Sequence, residues 1–120
     1  MEIWNNPACS KCAAARETLD AAHVPYTLRP YLEQPPTEAE LREVLAKLGM
    51  EPWEICRLGE PAAKELGLAD WGHEAPERWI SVMTAHPELI QRPILILDNG
   101  RALVGRTATA LAEAVSEAGD

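Results

Sequence analysis

No apolar run in the chain approaches the roughly eighteen residues that a membrane span needs, and the N-terminus lacks a basic stretch followed by an apolar core and a cleavage site. Together these absences predict a cytoplasmic protein with no membrane partner. Positive charge is also scarce, with 11 Lys and Arg against 19 Asp and Glu and a formal net charge of −8. That balance argues against direct binding to nucleic acid or to anionic lipid, both of which select a basic face. An anionic substrate would need arginines gathered locally against the global field. Cysteine is limited to three residues, an odd and low number that does not fit a secreted disulfide scaffold and does fit a reducing compartment. No internal repeat, low-complexity tract or linker divides the 120 residues, 47% of them hydrophobic and 25% charged. Such a chain reads as one domain spanning residues 1–120, large enough for its own core.

Against this background the stretch Trp4-Asn5-Asn6-Pro7-Ala8-Cys9-Ser10-Lys11-Cys12-Ala13 stands out. It joins a predicted strand, Met1 to Trp4, to a predicted helix, and sets two cysteines three positions apart, close to one helical turn. At a helix front the first N–H groups lack intrahelical partners and the macrodipole is positive, so thiolate is favoured over thiol. A cysteine of pKa near 8.5 is only a few per cent ionised at neutral pH, whereas at about 6.5 it is mostly thiolate. Cys9 is the predicted nucleophile and Cys12 its redox partner. Two other readings compete: half of a zinc site, or an inert buried pair. Zinc would require two more ligands at matching spacing, and His23, His73 and His86 form no such pair, so no metal is expected.

Further along, Ala13 to Ala22 reads as a helix with Ala14, Leu19 and Ala22 inward and Arg16, Glu17 and Asp20 facing water. His23 then reads as a C-terminal residue favoured by the dipole. Tyr26 to Arg29, between prolines, reads as a second strand, parallel to the first because a helix connects them. Thr37 and Glu40 form a predicted capping box, and Leu41, Val44, Leu45 and Leu48 make an amphipathic stripe that stops at Gly49. Two short helices, Pro52 to Arg57 and Pro61 to Leu66, and a longer one from Pro76 to Ala85 follow. Cys56 reads as a small buried helix residue. Residues 37 to 90 thus form an all-helical insertion. Pro93 to Leu97 is an apolar run of the kind buried on both faces. Asp98-Asn99-Gly100 turns it into an antiparallel partner, Arg101 to Val104, and Thr107 to Glu117 is a last helix with Leu111 and Val115 inward. The order β-α-β, helical insert, β-β-α, with the sheet sandwiched by the first and last helices, is a thioredoxin-like α/β fold.

Five motifs in this order carry a resemblance: Asn6-Pro7-Ala8-Cys9, Tyr31 to Thr37, Glu65-Leu66-Gly67-Leu68, His86-Pro87 with Leu89 to Ile94, and Gly105-Arg106. Colinear from residue 1 to about residue 115, the chain resembles the thioredoxin-fold arsenate reductase family, which also contains Spx-type transcriptional regulators. The resemblance implies that Cys9 is the catalytic cysteine that forms a covalent thiol-arsenate. It implies likewise that Arg57, Arg92 and Arg106 bind the oxyanion, and that Pro93 is the cis-proline facing the cysteine. Arginine suits the task independently, since a planar guanidinium donates two hydrogen bonds to a tetrahedral oxyanion. The glutathione-coupled members carry histidine just before the motif asparagine; Asn5 stands there in this chain and cannot hold a proton charge.

The expected activity is reduction of arsenate to arsenite, with no bound cofactor and a thiol reductant as co-substrate. In the best-known members glutathione supplies that thiol and glutaredoxin clears the mixed disulfide. Cys12 can instead resolve Cys9 within the chain, since exchange requires only a nearby thiolate and access. The electron donor would then be a thioredoxin- or glutaredoxin-like protein or another low-molecular-weight thiol. Two alternatives remain: an Spx-like redox switch that contacts RNA polymerase, for which the Cys9–Cys12 pair is the matching feature, and a general thiol-disulfide oxidoreductase.

Overall fold

The computed structural model describes residues 1–118, which pack as two compact units, one built from residues 1–34 and the chain from Arg92 onward, the other from Pro35–Gln91. In the first unit, β1 (Glu2–Trp4), α1 (Ser10–Ala21), β2 (Thr27–Arg29), β3 (Ile94–Ile96), β4 (Ala102–Val104) and α5 (Ala108–Ala118) build a four-stranded sheet of order β2-β1-β3-β4 with two helices. The labels α2 to α4 belong to the second unit. β1 pairs parallel with β2, Ile3 opposite Leu28, and antiparallel with β3, Ile3 opposite Leu95. β3 and β4 form the expected hairpin, Leu95 opposite Leu103. Its turn is closed by Leu97 N–H donating to the Arg101 carbonyl at 2.8 Å, with Gly100 at φ 89, where a side chain would be strained. This is the thioredoxin-like architecture.

One hydrophobic core of this unit lies between the sheet and its two helices. Ile3, Leu95 and Leu97 point from one face of the sheet into Ala15 and Leu19 of α1 and Leu111 and Ala114 of α5. The two helices therefore lie side by side on one face; they do not sandwich the sheet. The reason is visible in the period-2 alternation: Ile3 and Leu95 are register partners and so share a face. Each fully buried leucine here stabilises the fold by about 1.5–3 kcal/mol.

α1 also differs from expectation in start and phase. It begins at Ser10, not Ala13, because Cys9 N–H donates to the Asn6 carbonyl at 3.0 Å and Ala13 N–H already reaches the Cys9 carbonyl at 3.1 Å. Its buried residues are Cys12, Ala15 and Leu19, while Ala14 and Ala22 are exposed. His23 sits beyond the helix in the left-handed region, φ 57. In α5, Leu111 and Ala114 are buried and Val115 packs beside them half-buried.

The second unit is helical: α2 (Glu38–Leu48), α3 (Pro61–Leu66) and α4 (Pro76–Ala85), with 3₁₀ turns at Pro52–Ile55, Leu68–Asp70 and Pro87–Leu89. α2 carries the full capping box, with Glu40 N–H donating to Thr37 Oγ1 and Thr37 N–H to Glu40 Oε1, both at 3.0 Å, and ends on Gly49 in the left-handed region. Leu41, Val44 and Leu45 of α2 and Trp79, Ile80 and Met83 of α4 are buried. Trp79 is the hub of an aromatic group with Trp53, Trp71 and His73, and its Nε1–H donates to the Gly72 carbonyl at 3.1 Å. The expected helix Pro52 to Arg57 is only a 3₁₀ turn. Cys56 is extended and pairs antiparallel with Ile90, Arg57 N–H donating to the Leu89 carbonyl and Gln91 N–H to the Ile55 carbonyl. Among the described residues no helix is long and apolar enough to cross a membrane.

Candidate functional site

Cys9 is the N-cap of α1, with extended backbone (φ −94, ψ 125), and Cys12 occupies the third helical position. The two cysteines lie 3.9 Å apart, both reduced. Their environments push them in opposite directions. For Cys9, burial raises the pKa, but the Arg92 guanidinium, the Cys12 and Lys11 N–H groups and the Cys12 side chain overcome that and bring it from 9.0 down to about 7. The neutral side chain makes no cap hydrogen bond, so these groups favour the charge it carries once ionised. For Cys12, burial raises the pKa, the Asn6 N–H opposes it, and the neighbouring Cys9 raises it further. One thiol is poised to attack while the other keeps its proton.

The hairpin register explains the arginines of this unit. Ile94 pairs with Val104, so continuing the ladder outward brings Pro93 opposite Gly105 and Arg92 opposite Arg106. Gly105 N–H donates to the Pro93 carbonyl at 2.9 Å, and Arg106 Nη1 donates to the Arg92 carbonyl at 2.9 Å. The Arg92–Pro93 peptide bond is cis. Gly105 is required by closeness: a Cβ there would meet Leu95 Cδ1 at 3.0 Å and Pro93 Cγ at 3.3 Å. Arg92 and Arg106 are thus brought together, and Arg92 reaches Cys9.

Arg57 belongs to the second unit, where its Nε donates to Glu60 Oε1 at 3.0 Å and its Nη1 to Gln91 Oε1 at 2.8 Å, with the side chain about three-quarters buried. Its guanidinium is therefore held in a fixed orientation by a carboxylate and an amide. Cys56, next to it, is half-buried and pushed up to about 11 by burial, an unreactive thiol at neutral pH. The expected buried helical residue is thus half-buried and extended. Among the described residues no group of three or more His, Cys, Asp or Glu is arranged to hold a metal ion.

The structural roles of Asn5, Asn6 and Arg16 are not apparent from the sequence. Asn6 organises the loop: its carbonyl accepts from Cys9 N–H, its Oδ1 accepts from Ala8 N–H at 3.0 Å, and its own N–H donates to Cys12 Sγ at 3.4 Å. Asn5 is buried, and its Oδ1 accepts from Arg16 Nη1 at 2.6 Å. The available signal was the tandem Asn5-Asn6 immediately after a strand, since such side chains bond local backbone in turns.

With this geometry in view, residues 4–114 match the model of the ArsC family. The chain is 53% identical over 118 residues to a protein in the glnII region of Streptomyces viridochromogenes, covering 97% of this chain and 99% of that one. An arsenate reductase of Neisseria meningitidis is 36% identical over 107 residues, 88% of this chain and 90% of that protein. Among solved structures, an arsenate reductase from Vibrio cholerae superposes with a TM-score of 0.86 at 32% identity, covering 95% and 98% of the two chains.

Proposed function

The chain belongs to the ArsC family, and from that premise we propose that it is a thiol-dependent arsenate reductase whose nucleophile is Cys9 and whose resolving thiol is Cys12. The observation that carries this reading is the cap position of Cys9, beside Arg92 and 3.9 Å from Cys12, with its pKa brought to about 7. The Cys9 thiolate attacks arsenic, an As–O bond breaks and the departing oxygen leaves as water with protons from solvent. Arg92 and Arg106 donate to the remaining oxyanion oxygens. The Cys12 thiolate then attacks the Cys9 sulfur. An S–S bond forms, the S–As bond breaks, and its electron pair stays on arsenic, which leaves as arsenite. The disulfide is returned to two thiols by a thioredoxin- or glutaredoxin-like protein, by glutathione or by another low-molecular-weight thiol.

Support comes from the arsenate reductases that are similar over nearly the whole chain. The test is coupled arsenate reduction, with glutathione and glutaredoxin compared against a thioredoxin system. Turnover that disappears in Cys9→Ser is the expected result, and dependence on Cys12 names the resolving thiol. The closeness of the two cysteines also favours a second reading, a redox switch acting on a protein such as RNA polymerase. A chain that forms the Cys9–Cys12 disulfide readily yet turns over no arsenate with any donor would replace the first reading by the second. Reduction of protein disulfides in the absence of arsenate would instead mark a general thiol-disulfide oxidoreductase.

A further inference from the structure

Asn5 is the one buried amide or charged side chain among the described residues, 6% exposed. Burying an amide is costly unless its hydrogen bonds are made. Its backbone N–H donates to the Arg29 carbonyl at 2.9 Å, which ties it to β2, and its Oδ1 accepts from Arg16 Nη1 at 2.6 Å, which ties it to α1 nearly two turns past Cys9. The residue that follows, Asn6, touches both cysteines: its carbonyl takes the Cys9 N–H and its N–H donates to Cys12 Sγ. Arg16 is not among the groups that act on Cys9 itself. The clamp therefore bears on the loop and on Cys12 through Asn6, not on the ionisation of the nucleophile.

We infer that the Asn5–Arg16 pair is a positioning device that holds the Asn6 N–H on Cys12 and so sets the rate at which Cys12 closes onto Cys9. This rests on the reading of Cys12 as resolving thiol. A hydrogen bond from Asn6 N–H becomes stronger as charge develops on Cys12 sulfur, so it assists the second nucleophile at the moment of attack. Free to rotate, the loop would lose that donor without disturbing the groups that lower Cys9.

The probe is dithiodipyridine, a neutral aromatic disulfide that serves as oxidant, added to the full chain in a Cys56→Ala background. Cys9 thiolate attacks it, forming a mixed disulfide and releasing one thiopyridone. Cys12 then gives its proton to solvent and attacks the Cys9 sulfur, so that the Cys9–Cys12 bond forms as the second thiopyridone leaves with the electron pair. The first phase reads Cys9 and the second, independent of probe concentration, reads Cys12. With Asn5→Ala the first phase is expected to hold while the second slows by about ten- to a hundredfold, the usual cost of misplacing a reacting group. Arg16→Met should reproduce this, and it carries the test if Asn5→Ala does not fold. Asn5→Asp, which keeps an acceptor for Arg16, should restore the second phase. An unchanged second phase in folded Asn5→Ala or Arg16→Met, or an equal slowing of both phases, overturns the inference. Release of a single thiopyridone by the parent chain overturns the resolving role of Cys12 itself, and with it the inference.

Discussion

Replacing Arg92 by alanine should change the reactivity of Cys9 in opposite directions at low and high pH. Cys9 is brought from 9.0 to about 7 against its own burial, and the Arg92 guanidinium is the first of the groups that lower it. In the limit where removal returns the thiol to its ordinary value, the ionised fraction at pH 7 drops from about half to about one per cent, roughly fiftyfold. The more basic thiolate is intrinsically faster, however, by about eightfold over two units at a Brønsted slope near 0.45. The net expectation is a reaction with dithiodipyridine about sixfold slower at pH 7 and about eightfold faster above pH 10, with the two profiles crossing at about pH 8. The Lys11 and Cys12 N–H groups remain in the variant, so these figures are the outer limit. The assay is the first-phase rate from pH 5 to 11 in a Cys56→Ala background. A variant whose profile keeps its midpoint near 7, or never overtakes the parent at high pH, would refute the electrostatic role given to Arg92.

Other consequences follow from the packing. Thr37→Ala removes one half of the capping box of α2 and should cost about 1 kcal/mol in urea denaturation, with arsenate turnover at saturating reductant unaffected. Gly105→Ala would push its new Cβ against Leu95 and Pro93; overpacking of this kind costs about 1–3 kcal/mol, and because Pro93 adjoins Arg92 the midpoint of Cys9 alkylation should also rise. Cys56 keeps its proton to about pH 11 in the folded chain but to 9.0 when unfolded. The native state thus binds more protons between these values, and its stability contribution, complete below pH 9, is lost as pH rises through 11. Cys56→Ala should flatten the alkaline fall in unfolding midpoint, and a parallel fall in both proteins would contradict the assignment.

How much of this was legible in the sequence depended on the contrast between neighbours. Thr37, Glu40 and Gly49 mark both ends of α2 to the residue because each has one chemical reason to be there. The apolar run before Asp98-Asn99-Gly100 likewise announces β3 and its hairpin. α1 was misphased because Ala13-Ala14-Ala15 offers no polarity contrast, so nothing local says that Ala15 and Cys12, and not Ala14, face the core. Pro52 to Arg57 has the composition of a helix start, yet the pairing of Cys56 with Ile90, 34 positions away, draws its last residues into extended backbone. Long-range pairing overrides local propensity there, and no window of sequence contains both partners.

The site divides along the same line. Once the hairpin is read, Arg92 and Arg106 are legible as neighbours, because each stands two residues outside the paired positions Ile94 and Val104. Cys9 and Cys12 are legible from spacing alone. Asn5 and Arg16 are not: eleven residues apart, they meet only because the loop after β1 folds back along α1, and Arg16 by periodicity belonged to the solvent face. The chemistry of the nucleophile is therefore written in short motifs and one hairpin register. The support beneath it, the uncharged amide of Asn5 held by Arg16, becomes visible only in the folded chain. An amide does not titrate, so with Asn5 in place the pH dependence of the loop should follow the two cysteines alone, and a third titration near pH 6.5 in the Cys9 profile would show that another group acts on the loop.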